Sequence, residues 1–227
     1  MTDKTCTAVI VAAGRAARMN GIDKTMTQLG GVPMILRTVR AVAASRKISE
    51  ILVVTRKDLM AQVTDVCRGE TKFSRAIPGG STRAESVLQG LRAVRTEFVA
   101  IHDGARPFVT PEIIDAAVEG AVKWGAAAPA VPVKDTIKVA KDRRIIETPD
   151  RNTLFAVQTP QVFCRETILA ALERAMEKGI PLTDDCSAAE AAGIPVYLTD
   201  GSNENIKITT PVDLAFCEAI LKWREDH

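Results

Sequence analysis

Histidine is almost missing from this chain: His102 and His227 are the only two, so a multi-histidine metal site cannot be assembled. The five cysteines, Cys6, Cys67, Cys164, Cys186 and Cys217, include no Cys-x-x-Cys pair and are odd in number, which argues against both a zinc site and a disulfide framework. Reduced thiols filling apolar positions are the better expectation. No apolar run approaches the roughly 18 residues that a membrane span needs, and the start, Met1-Thr2-Asp3-Lys4-Thr5, lacks the basic segment and apolar core of a signal peptide. A cytoplasmic location is expected. The formal net charge is only +2, too little to suggest nucleic acid as the main partner. The opening loop matches neither the P-loop pattern nor Gly-x-Gly-x-x-Gly, because Ala16 and Met19 stand where the second and third glycines would be.

What remains is an ordinary globular composition, 46% hydrophobic and 26% charged, with enough length for a sizeable core. Short apolar runs at Ala8 to Ala13, Ile51 to Thr55, Phe73 to Ile77 and Phe98 to His102 predict strands. They alternate with helical spacing over Pro33 to Ala44, Asp58 to Cys67 and Thr82 to Val94. That alternation predicts an α/β fold of Rossmann-like type, a mostly parallel sheet with helices on both faces. Thr110-Pro111 and Thr210-Pro211 read as capping hydroxyls before a first-turn proline, and further helices are expected at Arg165 to Lys178 and Ser187 to Ala192. Between Val133 and Asp150 two strand-like runs flank the charged turn Lys141-Asp142-Arg143-Arg144, a β-hairpin inserted into the fold. A lone hairpin is marginal in water, so it packs on a second subunit or back on its own domain. With no linker or repeat, residues 1–227 form one domain, carrying the arm at 133–150.

Ligands of such sheets bind outside the carboxyl ends of the strands. Ala12-Ala13-Gly14, Gly79-Gly80 and His102-Asp103-Gly104 fall at those ends, so three polar loops are expected to line one crevice. The first could cradle phosphate, with Arg18 and Lys24 adding fixed charge, or be merely a tight strand-to-helix turn. Gly80-Ser81-Thr82-Arg83 with Ser86 offers flexible backbone, hydroxyls and a cation, or an ordinary helix cap. Asp103 could help bind a magnesium-nucleotide or be a solvated strand-end carboxylate. Lys207 lies between two isoleucines in the strand-like run Asn205-Ile206-Lys207-Ile208-Thr209, and a half-buried lysine requires an anionic partner.

Taken in order, these segments resemble the 2-C-methyl-D-erythritol 4-phosphate cytidylyltransferases of the non-mevalonate isoprenoid pathway, along essentially the whole chain. The resemblance also rests on His102-Asp103-Gly104-Ala105-Arg106-Pro107, Pro132-Val133-Lys134-Asp135-Thr136, Asp150-Arg151-Asn152, Thr159-Pro160-Gln161 and Leu182-Thr183-Asp184. It implies that CTP and 2-C-methyl-D-erythritol 4-phosphate give the 4-diphosphocytidyl alcohol and pyrophosphate, with Mg²⁺ as the divalent cation. It further implies catalytic roles for Arg18, Lys24 and Lys207. Nucleotide contacts would come from Ala12, Ala13, Gly14, Gly80, Arg83, Ser86, Asp103 and Gly104, with Asp103 also beside the metal. The polyol phosphate would meet Asp103, Arg106, Thr136, Arg151, Thr159, Thr183 and Lys207. By the same resemblance the protein is a homodimer in which the arm brings Thr136 and Arg151 to the partner's site.

Two features depart from the family pattern: Ala16 replaces a usual second glycine, and Thr25-Met26-Thr27 follows Lys24 where glutamine and an aromatic are common. The rival activities are a ribitol 5-phosphate cytidylyltransferase with the same nucleotide loop and, from another class, a noncatalytic nucleotide-binding regulator.

Overall fold

The computed structural model describes residues 5–14 and 25–226. Arg18, Lys24 and the Ala16 departure lie outside the described residues. Strand β1 (Cys6–Ala12) is followed by a small ribbon, β2 (Gln28–Leu29) and β3 (Val32–Pro33), that leads into helix α1 (Met34–Ala43). The alternation continues through β4 (Ile48–Thr55), α2 (Met60–Cys67), β5 (Phe73–Pro78), α3 (Arg83–Ala93), β6 (Phe98–Asp103) and α4 (Pro111–Trp124). After β7 (Ala126–Pro132) come the arm strands β8 (Val139–Lys141) and β9 (Arg144–Glu147), then β10 (Phe155–Val157) and β11 (Gln161–Cys164). The chain finishes with α5 (Arg165–Glu177), α6 (Asp185–Ala191), β12 (Tyr197–Asp200) and α7 (Pro211–Asp226).

The main sheet runs β12, β7, β11, β6, β1, β4, β5, with β10 continuing along the edge of β7 that β11 occupies. Strands β1, β4, β5 and β6 are mutually parallel, whereas β10 and β11 run against their neighbours. Covering by helices on both faces explains why β1 and β4 are almost continuously apolar. Helices α1, α2 and α4 bury Ile35, Val39, Val63 and Ile114 on one face, and α3, α5 and α6 bury Val87, Leu91, Leu172 and Ala189 on the other. A third cluster seats α7 through Cys217 against Leu29, Met34, Phe108 and Ile208. No helix among the described residues is long and apolar enough to cross a membrane.

The strands and helices expected from periodicity are present with ends shifted by a few residues. Asp58 is an exception, since it falls in a 3₁₀ turn over Lys57–Leu59 before α2. Strand β7 was not foreseen, because its sequence, Ala-Ala-Ala-Pro-Ala-Val-Pro, lacks β-branched bulk and holds a proline. Pro129 is tolerated where the partner ladder breaks: β10 and β11 are interrupted over residues 158–160, which include the cis Thr159–Pro160 bond, and Gln158 N–H donates to the Pro129 carbonyl at 2.7 Å. At the start of α7 the first turn is capped by Asp213, which accepts from the backbone of Thr209 and Thr210. The Thr110 hydroxyl makes no cap bond at α4, while both first-turn prolines stand.

The arm is a separate two-stranded sheet whose turn residues Asp142 and Arg143 adopt positive φ, as a two-residue hairpin turn of right-handed twist demands. Every residue from 134 to 148 is exposed, including Ile145 and Ile146, so the hairpin does not fold back onto its own domain.

Candidate active site

The parallel strands end along one rim, and their carboxyl-terminal loops enclose a cleft of about 1000 Å³. Ala12, Ala13 and Gly14 follow β1, Gly79 and Gly80 follow β5, and Asp103 with Gly104 closes β6, so the three expected loops do line one crevice. Close packing holds them there. A side chain at Gly79 would strike Ala13 Cβ at 2.5 Å, and one at Gly104 would meet Ala12 Cβ at 2.9 Å, so only glycine lets these turns nest against β1. A fourth strand end also contributes: Arg56, Lys57 and Asp58 follow β4 and line the cleft, with Arg56 held in a forked pair by Asp58 at 3.0 and 3.1 Å. In the sequence Asp58 reads as the start of a helix, and Arg56 and Lys57 carry no motif. Their position after a strand was the signal that would have found them.

Asp103 is the electrostatic centre. Its Oδ2 lies 2.7 Å from Lys207 Nζ and 3.9 Å from Arg106 Nε, and its Oδ1 accepts from Arg83 at 3.3 Å. Burial alone would raise the carboxyl, but Arg83, Lys207 and Arg106 outweigh it and bring it down to about 2. Lys207 does not belong to a strand. Its segment is extended but unpaired in the sheet, pinned by buried Ile208, whose N–H donates to the Ala105 carbonyl. The anion that the sequence required for Lys207 is therefore Asp103.

Behind Asp103 a continuous relay fixes the loop. Asp103 N–H donates to the Thr159 hydroxyl at 3.1 Å, that hydroxyl meets His102 Nδ1 at 3.0 Å, and His102 Nε2 lies 3.1 Å from the Arg106 carbonyl. One direction of donation satisfies all three contacts: Thr159 donates to Nδ1, and a neutral ring donates from Nε2. Burial keeps the ring neutral by pushing His102 down to about 4. Thr159 and His102 are thus buried beneath the cleft rather than lining it. Arg106 donates to the Asn205 carbonyl at 2.6 Å, while its Nε is buried without a hydrogen-bond partner.

On the opposite wall, Thr82 caps α3 in a reciprocal capping box with Glu85. The Ser86 hydroxyl accepts from Gly80 N–H at 3.1 Å and donates to the Thr82 carbonyl, so it braces the glycine turn from inside. Arg83, the first helical residue, forms a two-pronged pair with Asp185, a residue that sequence reasoning missed beside the quoted Thr183-Asp184. Burial raises the Asp185 carboxyl, against the pull of Arg83. Thr183 sits at the mouth of α6, its N–H bonded to Ser187 Oγ. Thr136 is exposed on the arm, and Arg151 at the arm's base is also exposed, with its guanidinium donating to the Lys134 carbonyl at 3.0 Å. Neither lines the cleft of its own chain.

A mainly parallel α/β sheet whose strand ends present close backbone turns on one side and clustered cations on the other is the architecture of a nucleotidyltransferase. The particular family follows from comparison with known proteins. The chain belongs to the 2-C-methyl-D-erythritol 4-phosphate cytidylyltransferase (IspD) family, whose sequence profile matches residues 6–223. A 2-C-methyl-D-erythritol 4-phosphate cytidylyltransferase of Caldanaerobacter subterraneus is 44% identical over 226 residues, covering 95% of this chain and 98% of that protein. One from Geobacillus kaustophilus is 43% identical over 222 residues, covering 96% and 97%. Among solved structures, 4-diphosphocytidyl-2C-methyl-D-erythritol synthase from Anaerococcus prevotii superposes with a TM-score of 0.88 at 32% identity, over 97% of both chains. The cytidylyltransferase of Thermus thermophilus gives 0.77 at 30% identity, over 94% of this chain and 98% of that one.

Proposed function

We propose that this chain transfers the cytidylyl group of CTP to 2-C-methyl-D-erythritol 4-phosphate, releasing pyrophosphate, as a cytoplasmic homodimer in isoprenoid precursor synthesis. The observation that carries the reading is Lys207 paired with Asp103 at 2.7 Å, in a cleft that the close glycine turns after β1, β5 and β6 also line. An oxygen of the polyol phosphate forms a bond to the α-phosphorus as the bond to the β-phosphate oxygen breaks, and the electron pair leaves on pyrophosphate. The attacking phosphate is already anionic near neutral pH, so no general base is needed. The chain's task is to hold two repelling anions in line and to offset charge at phosphorus.

In this scheme Ala12, Ala13, Gly14, Gly80 and Gly104 approach the nucleotide through backbone, with Ser86 bracing the turn that reads the base. Arg18 and Lys24 hold the triphosphate. Lys207, which lines the cleft, and Arg106, which stands behind it on Asp103, guide in the second phosphate. Thr183, at the mouth of α6, meets the polyol. Thr159 contributes through its bond to Asp103 N–H.

Among the described residues no cluster of three or more His, Cys, Asp or Glu is arranged to hold a metal, which fits Mg²⁺ arriving with the nucleotide: that ion keeps waters and needs only one or two carboxylates beside phosphates. Asp103 is the carboxylate that would hold it, and when bound it would draw negative charge from the triphosphate. The exposed apolar residues Ile137, Val139, Ile145 and Ile146 support burial of the arm against a second copy, which would deliver Thr136 and Arg151 to the neighbouring cleft.

Pyrophosphate release measured across four nucleoside triphosphates and a panel of polyol phosphates tests the reaction. Turnover confined to CTP with methylerythritol phosphate is expected. Turnover with ribitol 5-phosphate alone would overturn the substrate, and CTP binding without pyrophosphate release would make the chain a regulator.

A further inference from the structure

Asp185 is 2% exposed, lines none of the cleft and takes no part in the scheme above. Its two oxygens accept from Arg83 Nη1 at 2.9 Å and Nη2 at 2.7 Å. Arg83 Nε and Nη2 each also reach Asp103 Oδ1 at 3.3 Å. Arg83 lines the cleft, yet every nitrogen of its guanidinium already faces a carboxylate, so its charge is engaged within the protein. Asp185 is itself rigidly placed. The backbone N–H groups of Asp185 and Cys186 both donate to Gln161 Oε1 at 3.0 Å, and Gln161 Nε2 donates to Asp184 Oδ2 at 2.7 Å, all anchored at the first residue of β11.

We infer that Asp185 is a positioning residue for the transfer reaction: through Arg83 it sets where the Asp103 carboxylate stands, and Arg83 is a brace rather than a nucleotide ligand. Without Asp185, a cluster of three cations (Arg83, Arg106, Lys207) would face the single anion Asp103. The arginine would then turn onto both oxygens of that carboxylate, displacing Lys207, or into the cleft onto the nucleotide phosphates. The pair also ties the start of α6, where Thr183 sits, to the first turn of α3, so the two substrate sides share one brace.

The inference rests on Asp103 belonging to the nucleotide site, and the variants separate the two ideas. Replacing a buried ion pair by apolar residues of similar volume often costs little stability, so Arg83→Met with Asp185→Leu is expected to keep the wild-type thermal midpoint. Its kcat should fall about 100-fold, as displaced reacting groups commonly cause, and its KM for CTP and for the polyol phosphate should both rise. Wild-type kcat and CTP KM in a folded double variant would overturn the inference, leaving the pair purely structural. Should the double variant not fold, Asp185→Glu decides: it keeps the charge on a longer stem, so a kcat loss of about 10-fold or more at an unchanged midpoint supports positioning, and full activity overturns it. Asp103→Asn with unaltered CTP kinetics would instead sink the assignment of Asp103, whatever the pair does.

Discussion

Around Asp103, five charged side chains from β6, α3, α6 and two loops interlock with almost no freedom, whereas between residues 134 and 148 every side chain is exposed and the apolar ones face water. That charged cluster is assembled within one chain. The arm is not: a two-stranded ribbon bearing Ile145 and Ile146 at 60% and 62% exposure has its strands paired but no core beneath them. The difference separates tasks. The groups proposed to face nucleotide phosphate are held by ion pairs and backbone contacts, while those expected to select the second substrate ride on an element that only assembly would fix.

The largest expected effect sharpens the locked side. Lys207→Ala should lower kcat/KM about 1000-fold, because one well-placed donor to developing charge is worth that much; steady-state pyrophosphate release measures it, and a loss under tenfold would mean the Asp103 pair is structural only. Next comes acid stability. His102 has its pKa depressed from 6.5 to about 4, so the unfolded chain binds the proton more readily: stability is full above the unfolded value and falls as pH drops from about 6.5 toward 4. The loss should total about 3 kcal/mol. Urea titrations across that range check it, and a His102→Asn variant should lack the slope. Asp103 adds a second loss only below about pH 4, as the medium approaches its own depressed value near 2.

The arm should behave oppositely. Arg151→Ala is expected to raise the KM for the polyol phosphate about tenfold, as loss of a charge-assisted contact does, with the CTP KM nearly unchanged; equal effects on both would remove Arg151 from the second-substrate site. Smallest in stability is Ile146→Asp. An exposed residue away from the core alters the folding free energy by about 0.5 kcal/mol or less, so the melting profile should hardly move while sedimentation shows dissociation. Retained self-association would break the contrast between a charged cluster assembled in one chain and an arm that needs a second.

Much of this was written legibly in the chain. Glycines and polar residues at the ends of three apolar runs placed the cleft, because strand direction alone brings such ends to one rim. Lys207 announced that it required an anion, but not which, since Asp103 reaches it only after the sheet and α7 have set the segment around Ile208. Asp185 was invisible for a related reason: next to Asp184 it looks like any acidic first turn, and only the fold, which brings the start of α6 to Arg83 of α3, shows that it is buried on an arginine. Strand β7 escaped because alanine carries no strand signal and its proline reads as a break. The arm turn was legible from charge clustering, although its strands are shorter than the apolar runs suggested, Val139–Lys141 and Arg144–Glu147.

The relay from Asp103 N–H through Thr159 and His102 to the Arg106 carbonyl begins and ends in the same four-residue loop. It therefore works as a clasp: Asp103 and Arg106 cannot drift apart without breaking a bond inside the protein, away from water. The two residues proposed to meet the two substrates are thereby carried on a single tile of backbone. If those roles hold, the spacing of their Cα atoms is set by the fold before either ligand arrives.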